Sequence, residues 1–162
     1  MKKYKIDTDA VIEVVREEVS RVAAAAYTEE GTSMYDAIII TSKDFNVLEH
    51  LIEDSVSALL TRFSGIATKD RYTIYFDLPD SRSHGMDVIA PEIDRFLAMN
   101  TCAAWLLQKY KSEAESYGVR AKDALGKAEQ LMYEILPPVV PEHKEDNNED
   151  EEDNTTQGPA AL

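Results

Sequence analysis

The sequence predicts a mostly α-helical domain of four helices with a small β-strand or hairpin excursion, followed by a disordered acidic C-terminal tail. Three observations carry that expectation. Apolar residues recur three and four apart along several long stretches, as helices with one buried face require. One stretch, residues 71–78, alternates apolar and polar side chains with the period of a strand. Beyond Pro137-Pro138 the chain loses its aromatic residues and turns acidic, so a domain of residues 1–136 gives way to an arm and tail of residues 137–162.

The first helix is expected from Asp7 to about Tyr27, capped by Thr8 or Asp9, with Ile12, Val15, Val19, Val22 and Ala26 on one face. Glu17 and Arg21 form an i,i+4 pair on the outer side, and the small residues 23–26 allow a close helix approach. Gly31 ends the pattern. Residues 34–41 include three consecutive isoleucines and fit a short strand or a buried helical turn equally, because periodicity cannot decide so short a run. Thr41-Ser-Lys-Asp44 reads as a helix start. The helix that follows, about 43–64, presents Phe45, Leu48, Ile52, Val56, Leu59, Leu60 and Phe63 together and stops at Gly65.

In the strand, Tyr72, Ile74, Phe76 and Leu78 point one way and Thr73, Tyr75 and Asp77 the other. A lone strand leaves unpaired edges, to be met by residues 38–40 or by another chain. The polar loop 79–86 is expected to be mobile. A long helix should begin near Asp87 or Pro91 and bury Ile89, Ile93, Phe96, Leu97, Ala104, Leu107, Tyr110 and Ala114, with Trp105 among the most enclosed side chains. Tyr117-Gly118 marks a kink or break before a last helix, about 119–136, burying Ala121, Leu125, Ala128, Leu131, Met132, Ile135 and Leu136.

The chain carries 31 acids against 17 bases, a net charge of −14. Eight of the acids and only Lys144 among the bases lie in residues 137–162, so body and tail each carry −7. Such a chain gains nothing from phosphate neutralisation, which excludes dedicated nucleic-acid reading and binding to anionic membranes. One cysteine, Cys102, excludes an intrachain disulfide, and no apolar run is long enough to span a bilayer, so a soluble intracellular protein is expected. His50, His84 and His143 fall in three different kinds of segment without metal-ligand spacing. The glycines of Gly118-Val-Arg-Ala-Lys-Asp-Ala-Leu-Gly126-Lys127 are too far apart for a phosphate loop. Cys102 reads as a small buried hydrophobe and His50, beside Glu49, Glu53 and Asp54, as a surface residue. Pro138-Val-Val-Pro141 matches a PxxP pattern and equally a helix stop. No residue set points to catalysis, a cofactor or a metal.

The last third carries the most informative pattern: Pro91-Glu-Ile-Asp-Arg-Phe-Leu, Cys102-Ala-Ala-Trp105-Leu-Leu, Ala114-Glu-Ser-Tyr117, Ala121-Lys-Asp-Ala-Leu125 and Leu131-Met-Tyr-Glu-Ile-Leu before Pro-Pro. Over residues 8–140 this layout resembles the small head–tail connector (neck, or adaptor) proteins of tailed bacteriophages. The resemblance implies a connector-like fold and a non-enzymatic structural virion protein. It would form a homo-oligomeric ring, commonly twelve-fold, between the portal protein and the tail or a second neck protein, assembled in the host cytoplasm and resident in the virion neck. DNA would pass through without specific binding, repelled by an acidic channel. No site residue of the family transfers to this chain. From the residues themselves, Tyr72, Thr73, Tyr75 and Phe76 of the strand and Pro137, Pro138 and Pro141 of the arm are the expected subunit and partner contacts, through strand addition. The alternatives are a free helical adaptor whose acidic tail docks a basic partner, and an enzyme of unfamiliar type.

Overall fold

The computed structural model describes residues 1–79 and 83–137. It opens on a strand, β1 (Lys2–Lys5), that its lysine-rich sequence does not announce. Helix α1 (Thr8–Ala25) follows, capped by Asp7 rather than Thr8 or Asp9: the Asp7 carboxylate accepts the Ala10 N–H at 3.0 Å. Its inner stripe, Val11, Ile12, Val15, Val19, Val22 and Ala23, is buried. Gly31, in the left-handed region at φ 80°, turns the chain back so that Tyr27 and Ser33 pair in an isolated bridge.

The ambiguous isoleucine segment is a single helical turn, α2 (Tyr35–Ile38), followed by extended residues, with Ile38 and Ile40 buried. Thr41 and Asp44 form the expected capping box around a short 3-10 turn, Ser42–Asp44, which leads into α3 (Phe45–Arg62). Leu48, Ile52, Val56, Leu59 and, just past the helix, Phe63 are buried as the apolar spacing requires.

Strands β2 (Ala67–Asp70) and β3 (Thr73–Phe76) form a hairpin across Arg71 and Tyr72, with Arg71 at φ 51°. The sheet is antiparallel in the order β1-β3-β2, Tyr4 facing Ile74 and Lys69 facing Ile74 from the other side. This corrects the expectation of a lone strand. Strand β3 is the central strand, its partners are β1 and β2, and neither residues 38–40 nor a second chain is needed to pair it.

Helix α4 (Met86–Leu106) starts at Gly85, where a Cβ would run into the Asp87 carboxylate, and it carries Pro91 inside its second turn. The helix does not continue to Ala114. It ends in a turn closed by bonds from the Lys109 and Tyr110 N–H groups to Leu106 O, and α5 (Lys111–Tyr133) runs unbroken through Gly118. Leu107, expected inside, is therefore exposed on the turn, and Ile135, beyond the helix end, is exposed as well. The physical reason is that packing outweighs propensity. A helical glycine costs about 1 kcal/mol, whereas α4 and α5 form the most extensive interface of the domain. Trp105 is buried, although at 7% exposure it is not among the most enclosed side chains as the sequence suggests, and its Nε1–H donates to Ile38 O at 2.8 Å.

A Cβ at Gly118 would meet nothing within 4 Å. Gly118→Ala should therefore stabilise the chain by about 0.5–1 kcal/mol, seen as a Tm raised by a few degrees; an unchanged or lowered Tm would contradict an unbroken α5.

Candidate interaction surfaces

The residues expected to make contacts do not form one surface. Ile74 and Phe76 point into the core, and Phe76 is fully buried with its ring edge-on to Phe63 at 6.0 Å. Phe76 thus has no area to offer a partner, because strand parity puts it on the same face as Ile74. Thr73 and Tyr75 occupy the other face and are half-buried. Tyr75 lies opposite Lys3, whose Nζ sits 5.8 Å from the ring centre. Tyr72 is at the hairpin tip, 63% exposed. Pro137 is exposed just past α5, while Pro138 and Pro141 lie outside the described residues, as does the acidic tail.

Strand addition at β3 is overturned, since both of its edges are already taken. Only the outer edges of β1 and β2 remain. Each is four residues long and bears lysine (Lys2, Lys3 and Lys5; Lys69), a composition that discourages edge-to-edge pairing.

The described flanks of the loop after Pro79 are tied down. Ser83 is buried and its hydroxyl donates to Pro79 O. Lys2 Nζ donates to His84 O at 2.5 Å, and His84 Nε2 bonds Glu134 Oε2 at 2.9 Å. This link joins the first strand, the entry of α4 and the exit of α5. Nothing in the sequence signals it, because its members are 50 to 82 residues apart.

Titratable groups inside the domain stitch elements together. Glu18 accepts the Tyr117 hydroxyl at 2.8 Å and pairs with Arg21 and Arg120, fastening α1 to α5. Glu92 pairs with Lys127 at 2.6 Å, its Oε2 being buried without a hydrogen-bond partner. Burial and the Asp94 carboxylate hold the Tyr4 phenol far above its usual range, and burial with Glu18 does the same for Tyr117. Burial pushes the Cys102 thiol up to about 12. His50 lines an open groove of about 880 Å³ between the start of α1, α3 and the hairpin, together with Lys5, Asp7, Glu49, Glu53 and Lys69. With Asp9, four carboxylates there face two lysines, and Lys69 is paired with Glu53 at 3.4 Å, so the groove is acidic on balance. Among the described residues no cluster of three or more His, Cys, Asp or Glu is placed to hold a metal, and no helix is long and apolar enough to cross a membrane.

Large exposed apolar side chains lie on several elements, Val14 on α1, Val47 on α3 and Val119 on α5 among them, and some mark the two ends of the α4–α5 pair. Val88, Tyr133 and Ile135 are exposed where α4 begins and α5 ends. At the other end Leu107 is exposed on the turn; the bond from Trp105 to Ile38 O brings α2, with exposed Tyr35, to the same end. Comparison with family models, curated proteins and solved structures finds no match to the chain.

Because β3 is central, Tyr75→Pro should cost the isolated domain about 3 kcal/mol or more, read as a lowered urea midpoint. An unshifted midpoint would contradict the three-stranded pairing. At pH 8 a thiol titrating near 12 is ionised to only about one part in ten thousand. A thiol reagent should therefore label Cys102 only as denaturant unfolds the chain, and rapid labelling of the native protein would show that the site is open.

Proposed function

We propose that the chain is a non-enzymatic structural subunit of a phage head–tail connector, a ring component of the virion neck between portal and tail. The observation that carries this reading is the pair of uncovered apolar ends on the α4–α5 rod. A helix of 21 residues separates its ends by about 30 Å. Exposed large apolar groups in clusters, rather than singly, mark protein contacts. Val88, Tyr133 and Ile135 at one end, and Leu107 and Tyr35 at the other, offer one subunit separate contacts with an axial neighbour above and another below.

Other features agree with that role. The hairpin tip, with Arg71 and exposed Tyr72, stands clear of the core and suits a lateral contact with the next copy. A net charge of −14 would repel DNA phosphates from any channel the subunits enclose. Pro137, exposed just past α5, is three residues from Glu134, which bonds His84 at the α4 entry.

The test is co-expression with the neighbouring gene products, followed by sizing and negative-stain imaging. Closed rings seated on the portal are expected. Leu107→Glu and Ile135→Glu, each at a solvated position, should leave far-UV circular dichroism unchanged and each remove one axial contact. A chain that stays single in the presence of portal and tail proteins, or rings indifferent to both charge substitutions, would overturn the reading.

A further inference from the structure

We propose that the open groove between the start of α1, α3 and the β2–β3 hairpin takes an arginine side chain carried by a basic segment of a partner protein. The site does not rest on the connector reading. The groove holds about 880 Å³, and Ile6, Ile52 and Val56 give it an apolar floor. Its walls are charged: Asp7 and Asp9 come from the start of α1, and Glu49 and Glu53 from α3. Two of these carboxylates are already in use. Asp7 caps α1 by accepting the Ala10 N–H, and Glu53 pairs with Lys69 at 3.4 Å. Asp9 and Glu49 are exposed and, among the described residues, make no hydrogen bond or ion pair. Lys5 is the other lysine of the lining, so even with His50 counted as a cation the carboxylates outnumber the cations by four to three.

The lining also selects the kind of cation. The carboxylates are too dispersed for a metal ion, since among the described residues no three His, Cys, Asp or Glu are placed to hold one. A guanidinium suits dispersed acceptors better, because its donors point outward in a planar fork and its flat face stacks on aromatic rings. Tyr72 lines the groove at the hairpin tip and is 63% exposed. The rings of Phe45, Tyr75, Trp105 and Tyr117 each carry a lysine or arginine of the chain, 4.1 to 5.8 Å from the ring centre. Among the described residues Tyr72 carries none, so its face is free for a cation from outside. The apolar floor accommodates the methylene stem of an arginine beneath its charged head. The groove is open rather than enclosed, so the side chain can enter while the backbone that bears it stays outside. Lysine, a point charge without the fork or the flat face, uses fewer of these features.

The experiment is an amide-resonance titration of the full-length chain with a short amidated peptide bearing two adjacent arginines, alongside its lysine and citrulline counterparts. Saturable shifts are expected at Asp9, Glu49, His50 and Tyr72, several-fold tighter for the arginine peptide than for the lysine one and absent with citrulline. Asp9→Asn combined with Glu49→Gln should weaken binding at these amides several-fold. Glu115→Gln combined with Asp123→Asn removes the same charge from exposed positions of α5, outside the groove, and should leave it unchanged. Tyr72→Ala, which alters no charge, should also weaken the arginine peptide several-fold and erase its advantage over lysine. Each variant is checked for an unchanged far-UV circular dichroism spectrum, and a variant that fails the check is replaced by Glu49→Gln alone, on the exposed side of α3. Shifts confined to residues outside the groove, equal losses in the two charge-matched pairs, or arginine and lysine peptides that bind alike would each overturn the proposal and leave only general attraction to an acidic chain.

Discussion

The pairing of β1 with β3 is the interaction on which the rest of the structure depends. It joins the first residues of the chain to a strand that lies beyond α1 and α3, and its ladder is extended by the Ile6 N–H donating to Tyr72 O at 2.7 Å. Closing so long a loop costs entropy that a few net hydrogen bonds, at about 1 kcal/mol each, do not offset. The remainder comes from side chains that the pairing carries inward. Tyr4 and Ile6 become buried, and the Tyr4 hydroxyl reaches Asp94 of α4 at 2.5 Å. On the same strand Lys2 fastens the entry of α4 through His84 O. Sheet and helices consequently stabilise one another: β1 has no reason to pair unless α4 is there to cover Tyr4, and α4 loses part of its cover without β1.

Within the helical layer, polar groups set the register that apolar packing alone would leave loose. Ser55 of α3 is fully buried, yet its hydroxyl donates to Leu51 O and meets Asn100 Nδ2 at 2.9 Å and Thr101 Oγ1 at 3.3 Å on α4. A slide of either helix would strand these groups without partners, at about 1–3 kcal/mol each. Trp105 pins α2 by the same logic, and Glu18 pins α1 against α5 through Tyr117. Glu92 keeps one oxygen buried and unpaired beside its ion pair with Lys127.

The parts of the fold that were legible in the sequence are those written as wide apolar stripes or as explicit caps. The stripes of α1 and α3, the Thr41–Asp44 box and the burial of Trp105 all belong to that class. What escaped lacks such marks. In and just beyond β1 only Tyr4 and Ile6 alternate, and the lysines around them resemble a solvated terminus because β1 is an edge strand with Lys3 and Lys5 on its outer face. The hairpin turn has no glycine: Arg71 itself takes the left-handed conformation, so the strongest hairpin signal is missing. The turn after α4 contains neither glycine nor proline, while the glycine that looks like a breaker is carried through α5 by its packing. For the contact residues, parity was readable and the partner strands were not. Phe76 consequently belongs to the core, whereas Tyr72, Thr73 and Tyr75 keep an outward position.

The same geometry constrains how copies of the chain could meet. A ring requires a heterologous contact, in which one surface of a subunit meets a different surface of the next. Self-complementary pairing of free strand edges would give closed two-fold dimers instead, and the lysines on β1 oppose it by like-charge repulsion.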